Sequence, residues 1–443
     1  MFIIAEIDPN AERDGLRSGE SALVLHPFVK RNEKGKLRNP EGCLSEAVSL
    51  TAAISLDVVH SEVVPLNKPK PGTLFGEGKI DELGHFIKNL HIDVVIIDGA
   101  VTPVQQRNLE RRWQVKIVDR TGLILEIFGE RAQTKEGTLQ VELAHLSYQR
   151  TRLVRSWTHL ERQRGSLSFI GGPGESQLEI DRRLIDDRIV KIKRQLESVV
   201  RTRELHRAKR KKIPYPIVAL VGYTNAGKST LFNRLTASKV FAEDLLFATL
   251  DPTMRKIDLP GGQTVILSDT VGFISDLPTE LVAAFRATLE EVLEADLIVH
   301  VRDITHEDTE AQKKDVFDVL KRLGVDIDDE HGYLEVLNKI DLLEPENTEI
   351  TLNGVGRDGS LAAISAVTGE GTESLLSIIE TKLTARQKVL SLDLPASDGA
   401  TLSWIYRNGT VLDREDREEI VHIDVKLSSE NVGRLEKMIN ITV

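Results

Sequence analysis

Eight residues near the middle of the chain constrain its folding more than any other stretch: Gly222-Tyr223-Thr224-Asn225-Ala226-Gly227-Lys228-Ser229. They read glycine, four residues, then Gly-Lys-Ser. A short apolar run, Pro214–Val221, precedes them, and Thr230–Leu235 follows with apolar positions at helical spacing. Strand, glycine loop and helix in that order make a phosphate-binding loop. The glycines let backbone N–H groups turn inward onto phosphate oxygens, and the helix N-terminus adds partial positive charge. In that reading Lys228 reaches the β- and γ-phosphates and Ser229 ligates Mg²⁺. A glycine turn before an ordinary helix would give the same eight residues, so the companion segments decide.

They follow in order. Phe247-Ala248-Thr249-Leu250-Asp251 has no strong periodicity and offers the Thr249 hydroxyl as a second Mg²⁺ ligand in a switch loop. Thr264–Ser268 is a strand that runs into Asp269-Thr270-Val271-Gly272, where the carboxylate can hold the Mg²⁺ shell and the Gly272 amide can sense a γ-phosphate. A further strand ends in Asn338-Lys339-Ile340-Asp341. A carboxylate there accepts two N–H bonds from guanine N1 and N2, a pair that adenine cannot supply. Ser365-Ala366-Val367 follows another short apolar run and offers a backbone contact to the guanine oxygen. Five segments in this order, each at a strand end, predict a GTP- and GDP-binding α/β domain with Lys228, Thr249 and Gly272 at the reacting phosphate. Open α/β sheets bind ligands outside the carboxyl ends of their strands.

A chain of 443 residues with 40 % hydrophobic and 29 % charged residues has room for two to four globular domains. The single cysteine, Cys43, excludes an internal disulfide and fits a reducing compartment. No apolar run is long enough to span a bilayer, and the first residues turn acidic at once instead of forming a signal peptide. The expectation is a cytoplasmic monomer. Net charge is −11, but residues 146–212 hold 18 Lys/Arg against 8 Asp/Glu, a net of +10, which leaves −21 for the remainder. One basic block in an acidic chain suggests a local site for a polyanion, although a solvated helix face has the same composition.

Four segments are expected: an N-terminal α/β domain at 1–145, a basic helical hairpin at 146–212, the nucleotide domain at 213–384, and a small α+β domain at 385–443. In the first, strands near 21–25, 60–65, 92–98 and 115–119 alternate with helical stretches at Leu44–Leu56 and Lys79–Leu90, the pattern of a mostly parallel sheet. Its loop Gly72–Lys79 lacks the four-residue spacer of a phosphate loop and the hydroxyl after its Lys, and reads better as a helix-capping turn than as a contact for RNA or a second nucleotide. The hairpin is read as helices over Leu139–Leu160 and Asp181–Lys212, joined by a tip at 165–175 with four glycines and a proline. The last segment reads β-α-β-α.

At this point the residues resemble a known family. Gly222–Ser229, Phe247–Thr253, Asp269–Phe273 and Asn338–Asp341, with Arg120–Phe128, Glu136–Leu143 and Gly172–Arg183 upstream, are similar to the HflX family of translational GTPases over nearly the whole chain. The resemblance implies a cytoplasmic GTPase that binds the large ribosomal subunit and dissociates stalled or idle ribosomes, especially under stress. It also implies that the hairpin tip reaches toward the peptidyl transferase centre. The tip here reads Arg164-Gly-Ser-Leu-Ser-Phe169, with fewer glycines than is usual in the family. Arg150, Arg152, Arg155, Arg162, Arg164, Arg182, Arg183 and Arg188 flank it and are expected to meet rRNA phosphates, with Phe169 free to stack on a base. A different reading is a GTP-gated switch that recruits a protein effector, with the hairpin as a spacer. A third, an RNA-remodelling enzyme driven by the N-terminal domain, has no phosphate loop of its own. Two further expectations concern rate. The residue after Asp-x-x-Gly is Phe273, which cannot orient water as a glutamine can, so isolated hydrolysis should be slow. Asn225 stands where K⁺-activated GTPases carry an ion-ligating Asn, and it either ligates K⁺ or caps the loop.

Overall fold

The computed structural model describes residues 16, 18–29, 38–132, 134–157, 177–210, 215–237, 247, 253–275, 292–325, 332–344, 361–385, 387–417 and 419–439. Ala248, Thr249, Leu250, Asp251 and the hairpin tip lie outside them.

The first body is a four-stranded, all-parallel sheet. Strands β1 (Ser21–Val29), β2 (Asp57–Leu66), β3 (Val94–Ile97) and β4 (Lys116–Asp119) stand in the order β2-β1-β3-β4. β3 reads Val-Val-Ile-Ile and every residue is buried, as a strand covered on both faces requires. The crossovers are α1 (Pro40–Ala52), α2 (Glu77–Asn89) and α3 (Pro103–Trp113), and α4 (Arg120–Arg131) follows β4. Each start is chemically marked. Asn39 caps α1 ahead of Pro40, and Thr102 and Gln105 form a reciprocal capping box ahead of Pro103. Asp119 caps α4 by accepting from the Gly122 amide at 2.9 Å. Gly76 is the N-cap residue of α2, which places the Gly72–Lys79 loop at a helix start.

Two long helices follow, α5 (Lys135–Trp157) and α6 (Gln177–Arg210). Arg150 pairs with Asp186 at 2.7 Å and Arg188 with Glu142 at 2.6 Å, so ion pairs cross between the two helices. Arg152 departs from the expected rRNA role. It bonds Asp119, Gln106 and the carbonyl of Val101, and its guanidinium lies 4.5 Å from the Tyr148 ring centroid. It points into the first body because a buried carboxylate at the end of β4 needs a cation.

The second sheet has six strands in the order β10-β9-β8-β5-β7-β6. These are β5 (Ile217–Gly222), β6 (Thr253–Asp258), β7 (Thr264–Asp269), β8 (Leu297–Asp303), β9 (Tyr333–Asn338) and β10 (Leu361–Ala363). All pairs are parallel except β6 with β7. Helices α7 (Lys228–Thr236), α8 (Thr309–Leu323) and α9 (Thr372–Ala385) belong to this body. One apolar cluster runs from the first sheet into the second, joining Ala22, Val94, Ile124 and Phe128 to Val221, Val271, Phe273 and Val316.

The last body corrects the β-α-β-α expectation. β11 (Gln387–Pro395), β12 (Thr410–Asp416) and β13 (Ile420–Ser428) form an antiparallel sheet in the order β11-β13-β12, with α10 (Gly399–Asn408) and α11 (Ser429–Ile439). The extra strand, β12, reads Thr-Val-Leu-Asp-Arg-Glu-Asp. It is a charged, exposed edge strand, the kind that carries little apolar alternation.

Candidate nucleotide site

β5 ends at Gly222 and the chain turns sharply. Gly222 (φ 151°) and Gly227 (φ 91°) adopt conformations that side chains disfavour. A Cβ at Gly222 would stand 2.1 Å from the carbonyl of Val301, and one at Gly227 2.2 Å from Asn338 Nδ2. Both glycines are therefore required by close packing as well as by the turn. Asn225 is the left-handed residue at the exposed crest (φ 59°).

Lys228 opens α7 and is buried. Its Nζ donates to the carbonyl of Tyr223 at 2.8 Å, which lays the side chain back over the loop. Burial lowers its pKa to about 8, against the opposing pull of Asp269. The Ser229 hydroxyl donates to Asp269 Oδ2 at 2.7 Å, and Thr270 donates to the carbonyl of Leu220 at 2.6 Å. Gly272 packs tightly against the loop: a Cβ there would lie 2.9 Å from Thr224 Cγ2 and 3.1 Å from Lys228 Nζ. Val271 and Phe273 on either side are buried. Phe273 is also pinned by its backbone, donating to Gly222 O at 3.0 Å and accepting from Thr224 N–H at 2.8 Å. Its ring belongs to the core.

The base-recognition segments converge through one side chain. Asn338 is buried, donates to Ala226 O at 2.8 Å and accepts from Ala366 N–H at 2.9 Å. It ties the phosphate loop to the Ser365-Ala366-Val367 turn. Lys339 is left-handed (φ 69°) and pairs with Asp303 at 2.8 Å. Ile340 is buried, whereas Asp341 is exposed, on a short 3₁₀ turn. Ser365 is buried, and Val367 is 68 % exposed. Because Asn338 takes the Ala366 amide, the exposed Val367 is the residue of that turn facing outward. Arg234, on α7, donates to the carbonyl of Ala366 at 2.7 Å and to that of Val367. Neither that arginine nor the Thr270 contact announces itself in sequence, since both act through backbone carbonyls far along the chain.

Mg²⁺ fits this donor set. A hydroxyl and a carboxylate, Ser229 and Asp269, already face each other at 2.7 Å. Hard oxygen donors at a phosphate loop suit a small divalent cation. Phe247 is the one described residue of its segment. It is buried, with its ring edge-on to Phe128 of α4 at 4.6 Å between centroids.

Four family models match in succession: GTP-binding GTPase N-terminal at 41–129, GTP-binding GTPase Middle Region at 131–210, 50S ribosome-binding GTPase at 217–339, and HflX C-terminal domain at 352–442. Among solved structures, a GTP-binding protein from the archaeon Sulfolobus solfataricus in complex with GDP is 23 % identical with a TM-score of 0.44, covering 83 % of this chain and 99 % of that one. GTPase HflX of Magnetococcus marinus is 50 % identical over 93 % of this chain and 93 % of its own length. GTPase HflX of Escherichia coli is 42 % identical over 89 % of this chain and 90 % of its own. With these matches over nearly its whole length, and a phosphate loop, an Asp-x-x-Gly turn and an Asn-Lys-x-Asp turn meeting at one end of a mostly parallel sheet, the chain belongs to the HflX family of GTPases.

Proposed function

We propose that this chain binds Mg²⁺ and GTP at the carboxyl ends of β5, β7 and β9, hydrolyses the nucleotide, and uses the cycle to engage the large ribosomal subunit and dissociate stalled or idle ribosomes. Gly222–Ser229 cradles the phosphates, Lys228 neutralises the β- and γ-phosphates, and Gly272 senses the γ-phosphate. Asp341 reads guanine, and the Ser365-Ala366-Val367 turn supplies a backbone contact to the guanine oxygen. Ser229 and Thr249 are the metal's protein ligands, Asp269 accepts from the Ser229 hydroxyl, and the ion when bound neutralises phosphate charge. Asn225, exposed at the loop crest, ligates K⁺ in this reading. The protein works in the cytoplasm, as a monomer, under stress.

The observation that carries the ribosomal reading is the match of residues 217–339 to a family of 50S ribosome-binding GTPases, preceded by two long helices rich in cations. A second reading has its own support. Cross-helix pairs neutralise Arg150 and Arg188, as a rigid spacer for a protein effector would require. Sedimentation with ribosomes and isolated subunits, in GTP, GDP and no nucleotide, separates the two. The ribosomal reading requires GTP-dependent co-sedimentation with large subunits and loss of the intact-ribosome peak. Its absence in all three states favours the effector.

A further inference from the structure

Helix α4 touches the chain beside both nucleotide switches. Its first residue, Arg120, has a side chain only 8 % exposed. Its Nε donates to the carbonyl of Ser275 at 3.3 Å and its Nη2 to Ser275 Oγ at 2.7 Å. Ser275 stands three residues beyond Gly272. Its own N–H donates to the Tyr223 hydroxyl at 2.9 Å, and that hydroxyl donates to Glu46 Oε2 at 2.8 Å. All three polar groups of Ser275 are thus engaged, two by Arg120 and one by the phosphate loop. Arg120 is braced in turn by Glu46 and Asp98, and Asp98 lies 2.7 Å from His26 Nδ1. Two turns along α4, Phe128 meets Phe247, two residues before Thr249.

We propose that Arg120 is a positioning residue for GTP hydrolysis, fixing Ser275 and thereby Gly272 against the phosphate loop. The proposal rests on the assignment of Gly272 as the γ-phosphate sensor. The physical reason is entropic. Switch segments become ordered by the γ-phosphate. A segment already anchored three residues away loses less freedom when that contact forms. GDP makes no such contact, so the anchor favours GTP alone.

The test uses the full chain. Arg120→Lys keeps a cation between Glu46 and Asp98, but an ammonium cannot bridge a carbonyl and a hydroxyl as the planar fork does. Affinity for an imido-bridged GTP analogue is expected to fall at least fivefold, with GDP affinity within twofold of wild type and kcat reduced at least fivefold. Ser275→Ala should shift the analogue-to-GDP ratio in the same direction by a smaller factor. The double variant should match Arg120→Lys alone, since both remove one interaction. If Arg120→Lys does not fold, Ser275→Ala carries the test by itself. An unchanged ratio in the folded variants, or equal losses for GDP and the analogue, overturns the proposal. Gly272→Ala separates the two layers. If it hydrolyses GTP normally, the sensor assignment falls. If it is inactive while Arg120→Lys and Ser275→Ala keep wild-type ratio and kcat, only the role of Arg120 falls.

Discussion

Asn338 Nδ2 lies 2.8 Å from the carbonyl of Ala226, so the base-recognition turn and the phosphate loop are fastened by one side chain. The next acidic residue, Asp341, follows that anchor by three residues and is exposed to solvent on its 3₁₀ turn. Its carboxylate offers the two acceptors that a guanine N1–H and N2–H pair would call for.

Asp341→Asn replaces one acceptor with a donor. GTP affinity should fall by roughly a hundredfold or more, since a site built for hydrogen bonds strongly rejects a mismatch. Xanthosine triphosphate, which presents a carbonyl at C2, should gain. Competition of the two nucleotides against a fluorescent analogue measures both changes, and an unaltered GTP preference would move guanine recognition elsewhere.

Lys228 gives a pH signature. Its pKa near 8 in the free protein lies below the ordinary lysine value of 10.5 because burial disfavours the charge. Between those two values the unfolded chain holds more protons than the folded one, so this group's contribution to stability rises with pH through that window and is most unfavourable below it. Phosphates beside Nζ restore the charge. Nucleotide binding at pH 8.5 should therefore take up about 0.7 proton at this site, and affinity should weaken above pH 8. Calorimetry in two buffers of different ionisation enthalpy measures the uptake directly. No uptake in wild type, or equal uptake in Lys228→Met, would assign the charge to another group.

Much of this site was legible because it is written in local stretches. Gly222–Ser229, Asp269–Gly272 and Asn338–Asp341 each join a strand end to a turn, and a strand end is readable from an apolar run stopping at a polar residue. What joins the segments was not legible. Asn338 to Ala226, Arg234 to Ala366 and Arg120 to Ser275 are side-chain bonds spanning large sequence separations, each reaching a backbone carbonyl that carries no residue signature. Helix α3 is hard to see in sequence although its capping box and Pro103 mark its start, because it is rich in Arg and Gln. Arg152 was read as a surface cation because it lies in a basic run. Only the fold brings Asp119 and Tyr148 to it.

That correction divides the basic block into two populations. Arg152 faces Asp119, whose side chain is 5 % exposed. Arg152→Ala should cost about 3 kcal/mol by leaving that carboxylate without its cation, and should leave the salt dependence of ribosome binding unchanged. Lys191, Lys193 and Arg194 are exposed on α6. Replacing all three with Gln should spare stability and flatten the slope of log K against log salt by about 2. Denaturant melts and filter binding at several salt concentrations test the two sets.

The burial of Phe273 bears on hydrolysis. Its side chain is 1 % exposed, and its backbone is locked to Gly222 and Thr224 by bonds of 3.0 and 2.8 Å. A glutamine placed there would not face an attacking water. It would bury an amide in the cluster formed by Val271, Ile274 and the first sheet. Phe273→Gln should therefore fail to raise the intrinsic rate, although glutamine is the water-orienting residue at the corresponding step of other GTPases. It should also destabilise the protein by about 2–4 kcal/mol through lost packing and an unpartnered buried amide. Single-turnover hydrolysis, with and without large ribosomal subunits, measures the first effect, and thermal melts measure the second. A faster intrinsic rate in a stable Phe273→Gln protein would mean that this turn swings out of the core when GTP is bound. Water would then be ordered by the chain itself, without the ribosome.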